Sequence, residues 1–180
     1  TLFRSYDQVS FSDGNRVVLQ NIALRMKAHQ RYLIVGKSGS GKSSLINVPF
    51  SPDVSLTGRL LINQQPRQDY ADQLVYQHLG ILEQRSYIFD ASIRQNLALF
   101  DDQISEKKLI AMLKHVGLSV YASPTGLHTK VADRGNSLSG GERKRLALGR
   151  MLLRHYDFVF LDEPLTGLDP KTAQDIIAIL

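Results

Sequence analysis

A run rich in glycine and serine, GKSGSGKS at residues 36–43, ends in Lys42 and Ser43. Its spacing fits the pattern G-x-x-x-x-G-K-[ST], which predicts a loop between a β-strand and an α-helix. Glycines let backbone N–H groups turn inward around phosphate oxygens, and the helix N-terminus adds partial positive charge. Lys42 would reach the β- and γ-phosphates of a nucleotide, and the Ser43 hydroxyl would ligate Mg²⁺. The predicted nucleotide-binding residues of this loop are Gly36, Ser38, Gly39, Ser40, Gly41, Lys42, Ser43 and Ser44.

Two adjacent acids, Asp162 and Glu163, follow the apolar run FVFL at residues 158–161. A continuous apolar run predicts a strand that is buried on both faces. In open α/β sheets, ligands bind beyond the carboxyl ends of the strands, so we expect both acids to face the metal and the γ-phosphate. Asp162 would hold the metal through a water molecule, and Glu163 would accept a proton from an attacking water. The alternative is that one acid caps a turn before Pro164.

A second glycine pair occurs in LSGGE at residues 138–142. Ser139 and the N–H groups of Gly140 and Gly141 are expected to open a helix whose dipole favours negative charge. A simple capping turn is the alternative for this segment alone. The basic run that follows, residues 143–145, could suggest nucleic acid, but no aromatic residues interleave with it, so a solvated helix face is the preferred interpretation.

In this order and at these separations, the three segments resemble those of the ATP-binding-cassette (ABC) ATPases, over nearly the whole chain. Gln84 in GILEQRSYIFD matches the Q-loop of that family, and LTGLD at residues 165–169 matches its D-loop. The resemblance implies ATP hydrolysis with Mg²⁺. It assigns catalytic roles to Glu163, Gln84 and Lys42, metal contacts to Ser43, Gln84 and Asp162, and a nucleotide contact to Asp169.

The resemblance also implies a partner. In that family two nucleotide-binding domains pack head to tail, and each LSGGE-type signature closes over the nucleotide held by the other domain. Ser139, Gly140 and Gly141 would therefore contact the ATP of a second chain across a self-complementary interface. Whether that second chain is identical to this one is left open by the sequence.

The segment before the signature resembles the exporter-type X-loop, T-x-V-G-E-R-G. Thr129, Val131, Arg134 and Gly135 match this pattern, whereas Ala132 and Asp133 depart from it. The X-loop implies an exporter ATPase at the cytoplasmic face of the membrane, with its transmembrane domain N-terminal to residue 1 and no nucleic-acid partner. A soluble ABC protein acting on DNA or the ribosome, and a non-catalytic regulatory cassette, are the alternatives. The segment LDEPLTGLD is similar to that of exporters that supply thiols for cytochrome bd assembly. Bacteriocin, lipid and drug exporters are equally compatible with the sequence.

The elements that must position these residues alternate between strands and helices. Strands are predicted at residues 22–26, 31–35, 58–63, 80–84 and 158–162, and helices after Gly41, Ser92, Ser105 and Asp169. This order predicts an α/β fold with a parallel core sheet and antiparallel strands at the front. The resemblance refines it to the ABC ATPase fold, a P-loop NTPase core with a helical subdomain inserted at about residues 85–155.

Bulk properties bound these interpretations. The 180 residues suffice for one domain, and 43% hydrophobic with 22% charged content is ordinary for a globular protein. No apolar run approaches the ~20 residues of a membrane span, so we expect that these residues do not cross a bilayer. The absence of cysteine excludes disulfides and thiolate metal sites. The basic residues behind the net charge of +5 are scattered along the sequence, so this charge does not by itself indicate a nucleic-acid partner.

Two departures from the family concern nucleotide grip and turnover. Asp13 stands where the family usually stacks an aromatic ring on adenine, and Tyr6 or Phe11 could replace that ring. The histidine that senses the γ-phosphate should follow the D-loop, and no histidine lies after Glu163. We therefore expect the chain to be a piece of a longer polypeptide that alone binds nucleotide but hydrolyses it slowly.

Overall fold

The computed structural model describes residues 4–14, 16–51, 56–132, 135 and 137–180. The chain divides into two compact units, of which the first comprises residues 1–80 and 156–160 and the second residues 81–155 and 161–180. The strands are β1 Arg4–Asp13, β2 Arg16–Met26, β3 Leu56–Ile62, β4 Gln65–Pro66, β5 Leu79–Leu82 and β6 Phe158–Leu161. The α-helices are α1 Lys42–Asn47, α2 Asp72–His78, α3 Ile93–Ala98, α4 Glu106–His115, α5 Pro124–Leu127, α6 Gly140–Leu152 and α7 Pro170–Ile179. No helix within the described ranges is long and apolar enough to cross a bilayer.

The first unit contains a four-stranded antiparallel sheet in the order β2-β1-β3-β4. Tyr6 lies at its centre, opposite Leu24 of β2 and Leu60 of β3. In β2 the side chain of Met26 is buried while Arg25 is exposed, which confirms the alternation predicted for residues 22–26. The antiparallel front strands of the predicted fold are therefore present, and β1 joins them without having been predicted.

Helix α1 follows the glycine-rich loop, as predicted, and continues into a 3₁₀ turn at Val48–Phe50. Pro49 suits this turn because it lacks the N–H group that a longer α-helix would need. Ile46 is the buried side chain of α1, and the Tyr6 hydroxyl donates a hydrogen bond of 2.7 Å to the Leu45 carbonyl. The sheet and the helix of the first unit are thus joined through one buried tyrosine.

The strand predicted at residues 31–35 is wrong. The structure assigns no strand to this run, and Leu33 and Val35 are 87% and 79% exposed. A strand exists through ladder hydrogen bonds to a neighbour, and the run has no such neighbour among the described residues. The apolar composition of residues 31–35 therefore indicated a preference for extended backbone, but no ladder partner among the described residues turns this preference into a strand.

Strands β5 and β6 form a two-stranded sheet. The Asp157 N–H donates to the His78 carbonyl at one end and the Asp162 N–H to the Leu82 carbonyl at the other, so the strands run parallel, as predicted. Complete burial of β6 was wrong, because Phe160 is 6% exposed but Val159 is 38% exposed. Among the described residues β6 has a single strand neighbour, which leaves its other edge without a ladder partner there.

The second unit is built around α6, which packs against α3 and α4. Ser92 caps α3 through a capping box with Gln95, and Ser105 caps α4, as the sequence predicts. Leu109 and Leu113 of α4 are fully buried and form its inward face. The helices between residues 93 and 152 fall in the range of the predicted helical subdomain, whose boundaries stay a prediction. Asp169 caps α7, and Pro170 occupies its first turn.

Candidate functional site

The phosphate loop, residues 36–43, lies in the first unit and ends at α1. Gly39 and Gly41 have φ angles of 75° and 89°, a backbone region that side chains rarely adopt. A Cβ atom at Gly41 would also lie 2.8 Å from the Val18 carbonyl oxygen. Within the described ranges, the N–H groups of Gly39 and Gly41 have no acceptor. The loop therefore presents free backbone donors of the kind that bind phosphate oxygens.

Lys42 and Ser43 begin α1 at the end of this loop. The Lys42 Nζ donates to the carbonyls of Gly36 and Lys37 at 3.0 and 2.9 Å, so the amino group lies over the loop. The N-cap Gly41 supplies no side-chain hydrogen bond, and Ser43 is exposed. A cation, free N–H groups and a hydroxyl thus share one short segment, which fits the polyphosphate of a nucleotide.

The acidic turn, residues 162–166, begins at the end of β6 in the second unit. Glu163 has a φ of 47°, which is unusual for a residue with a side chain. Its carboxylate Oε2 accepts hydrogen bonds from Gln84 Nε2 at 2.9 Å and from Thr166 Oγ1 at 3.0 Å. Glu163 remains exposed, so a water molecule can reach the carboxylate that these two donors orient.

Asp162 differs from its neighbour in burial. It is 6% exposed, its N–H donates to the Leu82 carbonyl, and its carboxylate accepts no hydrogen bond within the part of the chain described. Among those residues no group of three or more His, Cys, Asp or Glu side chains forms a metal cluster. Carboxylate oxygens that are not engaged by a protein donor are the kind of ligand that a hard cation such as Mg²⁺ takes, together with hydroxyl and amide oxygens.

Lys144, on the second turn of α6, reaches the same acidic turn. Its amino group donates a hydrogen bond of 3.1 Å to the Glu163 carbonyl, and the residue is 9% exposed. Burial lowers the pKa of Lys144, and the negative charges of Asp162 and Glu163 oppose that shift.

The interpretation of residues 143–145 as a solvated helix face is wrong. Besides the buried Lys144, Arg143 donates to the Gly135 carbonyl and Arg145 Nη2 to the Asp175 carboxylate at 2.9 Å. Lys144 is buried and Arg143 and Arg145 are half-buried, and all three basic side chains bond to their own chain instead of facing solvent.

Ser139 is the N-cap of α6. Its hydroxyl accepts from the Glu142 N–H, and the Glu142 carboxylate accepts from the Ser139 N–H, which completes a capping box. Burial alone would raise the pKa of Glu142, but the hydrogen bonds from Ser139 and Tyr121 outweigh it and lower the pKa. A Cβ atom at Gly140 would meet no atom of the described residues within 4 Å, and Gly140 itself is exposed.

Asp169 is placed by its capping role. Its carboxylate accepts a hydrogen bond of 3.0 Å from the Thr172 N–H, which lowers the pKa of this exposed carboxyl. The nucleotide contact that the resemblance implies for Asp169 stays a prediction.

The segments after the Q-loop and within the X-loop lie side by side in the second unit. The Ile93 N–H donates to the Thr129 carbonyl and the Val131 N–H to the Ala91 carbonyl, each at 2.9 Å. Ser92 and Lys130 form an antiparallel bridge between them. Asp133 and Arg134 lie outside the described residues. Backbone hydrogen bonds therefore hold the segment after the Q-loop against the segment before the signature.

The aromatic substitutes suggested for adenine stacking are corrected in part. Tyr6 is 2% exposed and its hydroxyl is bonded to Leu45, so its ring is a core residue and not a stacking surface. Phe11 is half-buried and Asp13 is exposed.

The structure brings together Gln84, Asp162 and Glu163 in the second unit, while residues 36–43 lie in the first. Sequence reasoning missed three residues that contact this machinery: Lys144, Thr166 and Glu142. The spacing S-x-x-E at Ser139 signals the capping box. Lys144 shares a helical stripe with Ala147, Leu148 and Met151, which signals a buried lysine.

A sequence model of the ABC transporter family matches residues 19–166. The chain belongs to the ABC transporter family. The matched range of this ABC transporter chain includes the phosphate loop, Gln84, the signature LSGGE and both acids of the acidic turn. The fold is accordingly the ABC ATPase fold, with an antiparallel sheet and a parallel sheet.

Curated relatives are longer ABC proteins. The chain is 36% identical over 174 residues to the glutathione/L-cysteine transport system ATP-binding/permease protein CydC of Haemophilus influenzae, covering 95% of this chain and 30% of that protein. It is 31% identical over 175 residues to the mitochondrial iron-sulfur clusters transporter ATM1 of Gibberella zeae, covering 96% of this chain and 25% of that protein. The chain thus spans less than a third of these relatives.

A solved structure, described as a bacterial Atm1-family ABC exporter with ATP bound, superposes on the chain with a TM-score of 0.89. The sequence identity is 33%, and the match covers 98% of this chain and 32% of that one. The ABC transporter chain is therefore similar to the ATP-binding portion of exporters.

Proposed function

We propose that this chain is the ATP-hydrolysing domain of an ABC exporter. The observation that carries the proposal is the Glu163 carboxylate, which Gln84 and Thr166 hold at 2.9 and 3.0 Å beside the buried Asp162. In this arrangement the exposed, oriented carboxylate of Glu163 would accept the proton, and the carboxylate of Asp162 would bind the cation.

Binding of ATP is assigned to the phosphate loop, whose free N–H groups and Lys42 would meet the β- and γ-phosphates. Ser43, Gln84 and Asp162 would hold Mg²⁺, which would neutralise charge on the phosphates. Glu163 accepts the proton of the attacking water, and Gln84 orients that carboxylate through its amide N–H. The remaining loop residues position the substrate through backbone donors.

Closure over the nucleotide requires a second chain in this proposal. Ser139, Gly140 and Gly141 begin a 13-residue helix whose open N-terminus favours negative charge, and a partner's γ-phosphate would supply it. The partner is a second nucleotide-binding domain. An isolated chain hydrolyses ATP slowly at low concentration because it meets such a partner rarely.

The transmembrane partner is proposed to dock beside Thr129 and Lys130, which are exposed on a segment that backbone hydrogen bonds join to residues 91–93. The exposed side chain of Tyr87, 58% exposed, extends an apolar cluster that includes Phe89 and Phe100. The chain would then work at the cytoplasmic face of a membrane. The names of the relatives suggest two classes of candidate cargo: small thiols, and iron–sulfur or heavy-metal compounds.

The substitution Glu163→Gln in the complete protein that contains this chain tests the assignment of the base. The amide keeps the shape and the contact with Thr166 but cannot accept the proton. General-base catalysis contributes roughly 100- to 10,000-fold, so ATP turnover should fall by at least about 100-fold while ATP binding persists. Steady-state phosphate release and calorimetric titration with ATP measure the two quantities.

Glu106→Gln, an identical change at an exposed position in the first turn of α4, serves as the control. It should leave turnover unchanged. Turnover of Glu163→Gln at the control's rate would contradict the proposed base.

A further inference from the structure

Glu163 is held at two points by separate contacts. Its carboxylate receives Gln84 and Thr166, and its carbonyl receives the Lys144 amino group at 3.1 Å. A residue with a side chain at a φ of 47° is strained by about 1 kcal/mol or more, and such a conformation persists only where its surroundings fix it. The Lys144 contact is the one that acts on the strained backbone itself.

Lys144 is an unusual residue for its position. It is 9% exposed, on a helix whose other buried residues are apolar except for Arg150. Burying an amino group costs free energy because the group loses its hydration. A methionine of similar length would not have this cost. Retention of a lysine here is therefore unfavourable for packing, unless its hydrogen bond to the acidic turn has another use.

We propose that Lys144 is a positioning residue for ATP hydrolysis: it fixes the Glu163 carbonyl, and thereby the direction of the Glu163 carboxylate. The inference rests on the proposed function of Glu163. Lys144 touches neither ATP nor the reacting water in this assignment and acts through the strained turn. Because it extends from the helix that begins at Ser139, it also joins that helix to the turn that carries the base.

Loss of the Lys144 contact should lower the rate of ATP hydrolysis rather than the stability of the fold. The hydrogen bond from Lys144 to the Glu163 carbonyl is only part-buried, so we expect water to replace the lost donor. The carboxylate, however, loses the constraint that aims it, and misplacement of a reacting group by about 1 Å can reduce rates by about 100-fold. A purely structural lysine would show the reverse pattern.

The test compares Lys144→Met, Lys144→Arg and the control Lys107→Met in the complete protein that contains this chain. Lys107 is an exposed lysine on α4, so its variant reports the loss of one positive charge on a helix. Lys144→Met should lower kcat by about tenfold or more, with KM for ATP changed less than about twofold and Tm not lowered. Lys144→Arg, which keeps a donor, should recover at least part of kcat, and the control should match the unmodified protein.

A double-mutant cycle with Glu163→Gln separates positioning from a general effect. Since Lys144 acts through Glu163, adding Lys144→Met to Glu163→Gln should reduce the residual turnover by less than about twofold. A normal kcat for Lys144→Met, a loss of Tm that accompanies the loss of kcat, or additive effects in the cycle would overturn the inference. If Glu163→Gln alone turned over normally, the proposed function would fail first, and the two failures are thereby distinguished.

Discussion

Single residues set the geometry of the phosphate loop and of the acidic turn through backbone conformations that most side chains avoid. Glu163 adopts a left-handed φ and is held by three side chains, whereas Gly39 and Gly41 adopt similar angles without strain because they lack a Cβ. The phosphate loop was predictable at this scale, since the glycine spacing itself indicates the conformation. The contact from Lys144 to Glu163 was not, because it depends on which face of α6 packs inward.

The two glycines of the phosphate loop offer a matched pair for a stability measurement. Gly41→Ala places a Cβ 2.8 Å from the Val18 oxygen at a φ of 89°, whereas Gly39→Ala meets no atom within 4 Å at a φ of 75°. Both variants lose about 1–2 kcal/mol from the backbone angle, and Gly41→Ala should lose about 1–3 kcal/mol more from the clash. Urea unfolding without nucleotide measures the difference, and equal stabilities would contradict the described loop.

Helices and their buried polar contacts govern the second unit at the scale of elements. Arg150 of α6 donates to the backbone carbonyl of Asn96 at 2.6 Å, to its Oδ1 at 2.5 Å, and to the Tyr87 carbonyl. Asn96 is fully buried; its Oδ1 accepts from the Phe89 N–H and its Nδ2 donates to the Phe89 carbonyl. Burial lowers the pKa of Arg150 to about 10, with the charge of Arg154 acting in the same direction. This network fixes the segment after Gln84 against α6.

Arg150→Met should destabilise the chain by about 2–3 kcal/mol, because it leaves buried carbonyls without donors. Arg154→Met is the control, since Arg154 has one buried nitrogen without a partner and one contact of 3.4 Å to the Ala98 carbonyl. The control should change stability by less than about 1 kcal/mol. Equilibrium unfolding followed by circular dichroism measures both, and a similar loss in the two variants would refute the role of the network.

Features that depend on neighbouring residues could be predicted from the sequence, whereas features that depend on distant contacts could not. Caps and stripes are local, so Ser92, Ser105 and Asp169 were placed correctly as helix starts. Pairing is not local, so the apolar run at residues 31–35 was predicted as a strand although it has no ladder partner among the described residues. The basic run after the signature was misjudged for the same reason, because burial of Lys144 depends on packing beyond its own neighbours.

At the scale of the whole molecule, the phosphate loop and the signature helix belong to different units of one chain, and each is half of a nucleotide site in the proposed function. The loop offers free N–H groups and a lysine, and the signature helix offers an uncovered N-terminus at Gly140. Neither half alone encloses a triphosphate. The central claim is therefore that two such chains meet face to face, with the loop of one opposite Ser139 of the other.

Disulfide crosslinking tests this claim most directly, because the chain contains no cysteine of its own. Ser38→Cys and Ser139→Cys, both at exposed positions, are combined with Glu163→Gln in the complete protein so that bound ATP persists. Any cysteine of the complete protein outside this chain is first replaced by serine. Under mild oxidation, ATP with Mg²⁺ should produce a crosslinked species of twice the subunit mass, and each single-cysteine protein should not. Absence of the crosslink with every nucleotide, or equal crosslinking without nucleotide, would contradict a nucleotide-closed pair.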